Sequence, residues 1–200
     1  RPENASAYFM RGSALLNQRK YLQAEADFTT AIQIGLGFPQ VYLSRALARD
    51  AIGSPYWETR SDFIFATDHN PNHSGYWAFL GNFYHGRGYF EAALLSLNRS
   101  IELNASNSQA YRWRSQVRMN LGKHDLAKDD LATAGDPVVL GQPFLPTDDG
   151  YSTLGLLNLP KHRVIGKAGS AYGKINSPSE APPNLPDTSG TAYRPISDPL

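Results

Sequence analysis

The sequence predicts an all-α solenoid of about four helix-turn-helix repeats, followed by an extended Pro/Gly-rich C-terminal tail. Three observations predict this class. Similar residues recur about every 34 positions, and each repeat contains two stretches with apolar residues at three- and four-residue spacing. The composition also changes abruptly after Asp136. The solenoid is therefore expected over residues 1–136 and the irregular tail over residues 137–200.

Five aligned columns carry the repeat. The first is aromatic, with spacings of 34, 35 and 34 residues between Tyr8, Tyr42, Trp77 and Tyr111. The other columns hold small or bulky side chains: Gly12, Ala46, Gly81 and Ser115; Ala24, Thr59, Ala93 and Ala127; Phe28, Phe63, Leu97 and Leu131; Ala31, Ala66, Ser100 and Ala134. Small residues let two helix backbones approach closely, and the bulky residues fill the space between neighbouring repeats.

The turns between the columns give the helix limits. The first helix of each repeat, called A, is expected at 5–17, 39–52, 74–86 and 108–121. The second helix, called B, is expected at 21–34, 56–68, 90–103 and 124–134. Ser74 and Ser108 are the expected N-caps of the third and fourth A helices.

The third repeat shows the pattern best, with Trp77, Leu80, Gly81 and Tyr84 followed by Ala93 and Leu97. It resembles the tetratricopeptide repeat, whose signature is W-x2-L-G-x2-Y and then A-x3-F. The resemblance covers residues 5–136 and is specific in repeats one and three. Repeat two departs from it with one extra residue near its central turn, and repeat four departs with Ser115 and Arg118 at the usual glycine and second aromatic positions.

The resemblance implies a role in binding protein. In tetratricopeptide proteins the A helices line a concave groove, and its positions follow the aromatic column by one, two, five and eight residues. The partner-binding residues expected here are Phe9, Leu43, Phe79, Asn82, His85, Arg112, Trp113 and Gln116. Only Asn82 and Arg112 lie near positions that clamp a terminal carboxylate in some members, so an apolar groove for an extended or helical segment is the expectation. Ordinary packing between repeats is an equal alternative for Phe79 and Trp113.

Composition excludes several other classes of function. The net charge is +1 with no long basic run, so no nucleic-acid partner is expected. The chain has no run of 18 apolar residues, so no membrane insertion is expected, and no cysteine, which excludes disulfides and thiolate chemistry. The first residue is Arg1, which fits an exported protein whose targeting segment was removed. A chain shortened for another reason would also begin with a residue other than Met, so the cellular compartment is not determined by this observation.

Three fragments resemble sites of chemistry and are set aside. His69 and His73 are four residues apart, but Pro71 lies between them and removes the helical geometry a zinc pair would need. The segment 169–174 is one residue short of a phosphate-binding loop, and 147–150 lacks the glutamate that closes a calcium loop. No catalytic, cofactor or metal residue is therefore predicted, and the protein is expected not to be an enzyme.

One local basic cluster consists of Arg112, Arg114 and Arg118, with Arg99 just before it. Pairing with the acidic residues of the following helix is favoured over contact with an acidic peptide. Those acidic residues are Asp125, Asp129 and Asp130.

The tail holds 10 of the 14 prolines, interspersed with apolar groups from Val138 to Ile165. It is either a disordered extension or a strap along a partner or along its own solenoid. Together these features predict a non-catalytic adaptor or scaffold subunit of a larger assembly, with a protein partner. Two alternatives stay open: a structural subunit whose tail makes the main contact, and an accessory module of a longer enzyme chain.

Overall fold

A computed structural model describes residues 4–135 of the chain, and within them it contains eight α-helices and no strand. The helices are α1 (Ala5–Asn17), α2 (Tyr21–Gln33), α3 (Pro39–Ile52), α4 (Tyr56–His69), α5 (Ser74–Gly86), α6 (Phe90–Leu103), α7 (Ser108–Asn120) and α8 (His124–Ala134). The all-α repeat prediction is confirmed, and every helix limit agrees with the sequence to within one residue. The odd-numbered helices are the A helices, and the even-numbered ones are the B helices.

The N-caps of α5 and α7 differ from the prediction. Ser74 and Ser108 are the first residues inside their helices, and the caps are His73 and Asn107. The Asn107 side chain accepts a hydrogen bond from the Ala110 amide at 3.2 Å, which satisfies one of the open N–H groups of the first turn. The serine prediction was wrong for α7 because an asparagine one residue earlier offers a longer, better-placed acceptor.

The small-residue column has a direct structural cause, seen best at Gly81 in α5. A Cβ added to Gly81 would lie 2.6 Å from Cγ of Leu97 and 3.2 Å from the carbonyl oxygen of Ala93, both on α6. Gly12 is equally tight, since its Cβ would lie 2.8 Å from the Phe28 ring on α2. The A and B helices of these repeats therefore touch at a point where no side chain fits.

An arginine–aspartate pair with a buried aspartate joins the two helices in three of the four repeats. It links the seventh residue of the A helix to an aspartate of the B helix, at 2.6 Å, 2.7 Å and 2.6 Å, in Arg11–Asp27, Arg45–Asp62 and Arg114–Asp130. Each arginine also lies 5.2–5.4 Å above a ring of the aromatic column, in the pairs Arg11–Tyr8, Arg45–Tyr42 and Arg114–Tyr111. In repeat three, the matching positions hold Leu80 and Ser96, both buried, and these side chains cannot form an ion pair.

The same arginines also connect one repeat to the next. Nη1 of Arg45 lies 3.5 Å from Oγ1 of Thr29 on α2, and Nη1 of Arg114 donates to Oδ1 of Asn98 on α6 at 2.7 Å. Arg49 bridges Glu25 of the preceding repeat, at 3.1 Å, and Asp62 of its own, at 3.0 Å. These contacts fix the register between neighbouring repeats, and so they set the relative positions of the A helices.

The predicted tail, its boundary at residue 137 and the two loop-like fragments at 147–150 and 169–174 lie outside the described residues. Among the helices that the structure describes, none is both long enough and apolar enough to cross a lipid bilayer.

Candidate functional site

The eight predicted partner-binding residues all lie on A helices, and the structure divides them by burial. Leu43, Phe79 and Trp113 are buried, with 3–5% of their surface exposed. The others are half-buried and reach the surface: Phe9, Asn82, His85, Arg112 and Gln116. We call these eight residues the groove set. Its three buried members are closed to direct contact with another molecule, and its five half-buried members are in part open to solvent.

The rings of Phe79 and Trp113 meet between repeats three and four. Their centroids are 5.5 Å apart and the rings are tilted by 55°, a favourable arrangement for two aromatic side chains. Packing between repeats, the alternative that the sequence left open, therefore describes both residues. Phe9 has a similar setting at the other end, 6.0 Å from Phe28 of its own repeat and 5.6 Å from Phe38, the N-cap residue of α3.

The polar members of the groove set gather on α5 and α7. Nδ2 of Asn120 lies 2.8 Å from Nε2 of His85, and a neutral His85 can accept this hydrogen bond. Burial lowers the pKa of His85 below its ordinary value, which also favours the neutral ring. Asn120 was missed by the sequence argument, although it lies four residues after Gln116 and therefore shares its helix face.

The arginine cluster of α7 is mostly engaged in ion pairs, as the sequence argument favoured. Arg114 and Arg118 both bind Asp130, at 2.6 Å and 2.7 Å. Arg99 pairs with Glu102 on its own helix at 3.1 Å. Arg112 points to a different face of α7 from Arg114 and belongs to the groove set.

The two histidines near Pro71 have separate environments. His69 ends α4 with its ring stacked on Phe65 at 3.8 Å, and His73 precedes α5 with its ring stacked on Tyr76 at 3.9 Å. Over residues 4–135, no group of three or more histidine and carboxylate side chains is arranged to hold a metal ion.

A family model of the tetratricopeptide repeat matches residues 5–34 and 74–107. These are repeats one and three, where the signature residues are most complete. The chain carries tetratricopeptide repeats. The match skips repeats two and four, which hold the extra turn residue and the substitutions Ser115 and Arg118.

Solved structures agree with this tetratricopeptide fold. MamA from Desulfovibrio magneticus is 14% identical, with a TM-score of 0.61 over 66% of this chain and 75% of that one. YrrB, described as a TPR protein with an unusual peptide-binding site, is 17% identical, with a TM-score of 0.58 over 66% and 68%. The first TPR of Spaghetti (RPAP3), bound to an HSP90 peptide, is 20% identical, with a TM-score of 0.56 over 61% and 96%. At these identities the likeness shows the fold alone. A search of curated protein sequences finds no match.

Proposed function

We propose that this protein is a non-catalytic adaptor that holds a segment of a partner protein against the groove set. The observation that carries the proposal is the layered arrangement of these residues. Half-buried polar side chains on α5 and α7, including Asn82, His85 and Gln116, lie beside the buried rings of Phe79 and Trp113. Rigid aromatic residues with hydrogen-bonding groups at their margin are typical of protein recognition surfaces.

Two of the similar structures support a peptide as the occupant. YrrB is described as having a peptide-binding site, and the Spaghetti domain is bound to an HSP90 peptide. The groove set of this chain holds one cation, Arg112, and is otherwise apolar or neutral. The segment it takes is therefore extended or helical, with apolar side chains and hydrogen-bonding groups, and does not depend on a terminal carboxylate.

The non-catalytic part of the proposal rests on where the acidic side chains lie. Asp27, Asp62 and Asp130, the buried carboxylates of the B helices, each bind an arginine of the same repeat. Such carboxylates stabilise the fold and are not positioned to transfer protons to a substrate. The tail, residues 137–200, is proposed as a second contact with the assembly, and truncation at residue 137 followed by partner binding tests this separately.

The test uses the full chain and a displayed library of random peptides. Peptides selected by the wild-type protein are measured by calorimetry against Asn82→Ala, Arg112→Ala and Gln116→Ala. Each change should weaken binding about five- to thirtyfold, because truncating a central contact costs about 1–2 kcal/mol. The control is Glu91→Ala, a change at an exposed residue of α6 that should leave affinity unchanged.

Circular dichroism first confirms that every variant folds. Peptides that bind all three groove variants as tightly as the wild type, or that respond to Glu91→Ala instead, would overturn the groove assignment.

A further inference from the structure

One face of α1 differs from the matching faces of the other three A helices. We compare the third, sixth and tenth residues of each A helix. In α3, α5 and α7 all nine are buried, at most 6% exposed: Val41, Ser44, Ala48, Tyr76, Phe79, Phe83, Ala110, Trp113 and Val117. In α1 the same positions are Ala7, Met10 and Ala14, and all three are exposed, Met10 by 70%. We call these three residues and Arg11 the stacking face of α1.

The other A helices show what covers this face. α3 packs against α2, α5 against α4 and α7 against α6, so the B helix of the preceding repeat covers much of this face in each case, and Phe79 of α5 also meets Trp113 of α7. The face of α1 has the same backbone geometry and the same spacing of small and apolar residues. Among residues 4–135, no helix covers it.

Arg11 shows the same difference at the level of single atoms. It binds Asp27 through Nε and Nη2, as Arg45 binds Asp62. In Arg45 and Arg114, however, Nη1 points at a side-chain oxygen of the covering helix, that of Thr29 or Asn98. The side chain of Arg11 is 64% exposed, against 13% and 14% for Arg45 and Arg114.

We propose that the stacking face of α1 is a docking surface for an amphipathic helix of a partner protein. That helix places a hydroxyl or amide side chain against Nη1 of Arg11 and small or apolar residues against Met10 and Ala14. This surface is separate from the groove set, and its occupancy does not depend on the proposed groove function.

The eleventh residue of α1 narrows the chemistry of the partner helix. At this position α3 has Arg49, which binds Glu25 of the covering helix, whereas α1 has Leu15. The partner helix should therefore carry an apolar residue opposite Leu15, four residues before the hydroxyl or amide residue that faces Arg11. α6 already combines these features, with Leu94 four residues before Asn98.

A second copy of this chain fits the surface poorly. Stacking of two copies end to end would place α8 against α1. The residues of α8 that match Leu94 and Asn98 of α6 are Lys128 and Ala132. Alanine offers no acceptor to Arg11, and the lysine would have to lose water against Leu15. The surface is also unlike the polar outer faces that usually close the end of a solenoid, because Met10 is among its most exposed residues.

The probe is a peptide with the sequence of α6, Phe90–Leu103, held helical by a staple on the side away from Leu94 and Asn98. It is titrated into the full-length, ¹⁵N-labelled protein, and amide shifts are followed by NMR. Saturable shifts confined to α1 and the neighbouring end of α2 are expected. A peptide with Leu94→Lys and Asn98→Ala should bind at least tenfold more weakly.

Protein variants separate this surface from non-specific binding. Met10→Lys should abolish the shifts, and Leu22→Lys should not, although the two side chains are equally exposed at 70% and 71%. Arg112→Ala should leave the peptide affinity unchanged, so a failure here and a failure of the groove proposal are distinguishable. No shifts at millimolar peptide, or shifts centred on α5 and α7, which carry the polar members of the groove set, would overturn the proposal. Shifts of α1 that depend on protein concentration in the absence of peptide would also overturn it, since they would identify a second copy of the chain as the occupant.

Discussion

Replacing Gly81 with alanine tests the close approach of α5 and α6 at a single atom. The new Cβ would lie 2.6 Å from Cγ of Leu97, well inside van der Waals contact, and 3.2 Å from the carbonyl oxygen of Ala93. Because the second neighbour is backbone, the side chain of Leu97 must move or the two helices must separate.

Two effects of opposite sign set the magnitude. Overpacking a well-filled core costs about 1–3 kcal/mol. Alanine gains about 1 kcal/mol over glycine through its helix propensity. We therefore expect a net loss of up to about 2 kcal/mol, and a larger loss for Gly81→Leu, which adds three more carbons at the same point.

A double-mutant cycle with Leu97→Ala isolates the clash. Leu97→Ala alone should cost about 2–5 kcal/mol because it leaves a cavity. In the double variant, the new methyl group occupies part of that cavity and no longer meets Cγ of Leu97. The double loss should fall short of the sum of the single losses by at least about 1 kcal/mol, a coupling of the size seen between residues in contact.

Gly86→Ala is the matched control, since Gly86 lies in the same helix and has no heavy atom within 4 Å of its ideal Cβ among the described residues. Urea denaturation of the full chain, followed by circular dichroism at 222 nm, measures the stability of all five variants. Equal stability of Gly81→Ala and Gly86→Ala, or additive losses for Gly81→Ala and Leu97→Ala, would contradict the close approach of α5 and α6.

Two further predictions concern charge and pH. Asp62→Ala should cost about 3–5 kcal/mol of unfolding free energy, because it removes the carboxylate partner of the half-buried Arg45 and one of the carboxylate partners of Arg49. Asp27→Ala should cost clearly less, because Arg11 returns to water, and equal losses in chemical denaturation would contradict this. Burial lowers the pKa of His85 and of His73 in the folded protein. The stability that these neutral rings allow is complete above pH about 6.5, the pKa of histidine in the unfolded chain, and should be lost as the pH falls below that pKa. The unfolding free energies measured at pH 8 and pH 5.5 should differ less for His85→Gln than for wild type. An equal difference would show that His85 does not contribute to the pH dependence.

The fold was predictable because the repeat appears four times. A single column such as Gly12, Ala46, Gly81 and Ser115 is weak, but five columns at a common period fix the helix pairs and their limits. The caps were less predictable, since both Asn107 and Ser108 are good N-cap residues and the choice depends on one turn of backbone geometry.

The arginine–aspartate pairs form a charged column in the sequence, of which the basic cluster on α7 shows only the last member. Arg11, Arg45 and Arg114 recur at one position, and Asp27, Asp62 and Asp130 at another, in the same three repeats. Their joint absence from repeat three, which has Leu80 and Ser96, is the signal that they act as pairs. Two charged columns that are absent from the same repeat therefore predict ion pairs between their members.

The groove set could be placed on its helices from sequence, but its burial could not. Successive helix residues differ by about 100° in direction, so the fifth and sixth positions of an A helix lie on either side of the boundary between groove and neighbouring repeat. Which side a ring falls on depends on what covers it. Trp113 and Met10 hold the same position in repeats four and one, yet they are 4% and 70% exposed. The repeat pattern alone assigns both the same environment. Only the packing of neighbouring helices in three dimensions distinguishes the buried Trp113 in the last repeat from the exposed Met10 in the first.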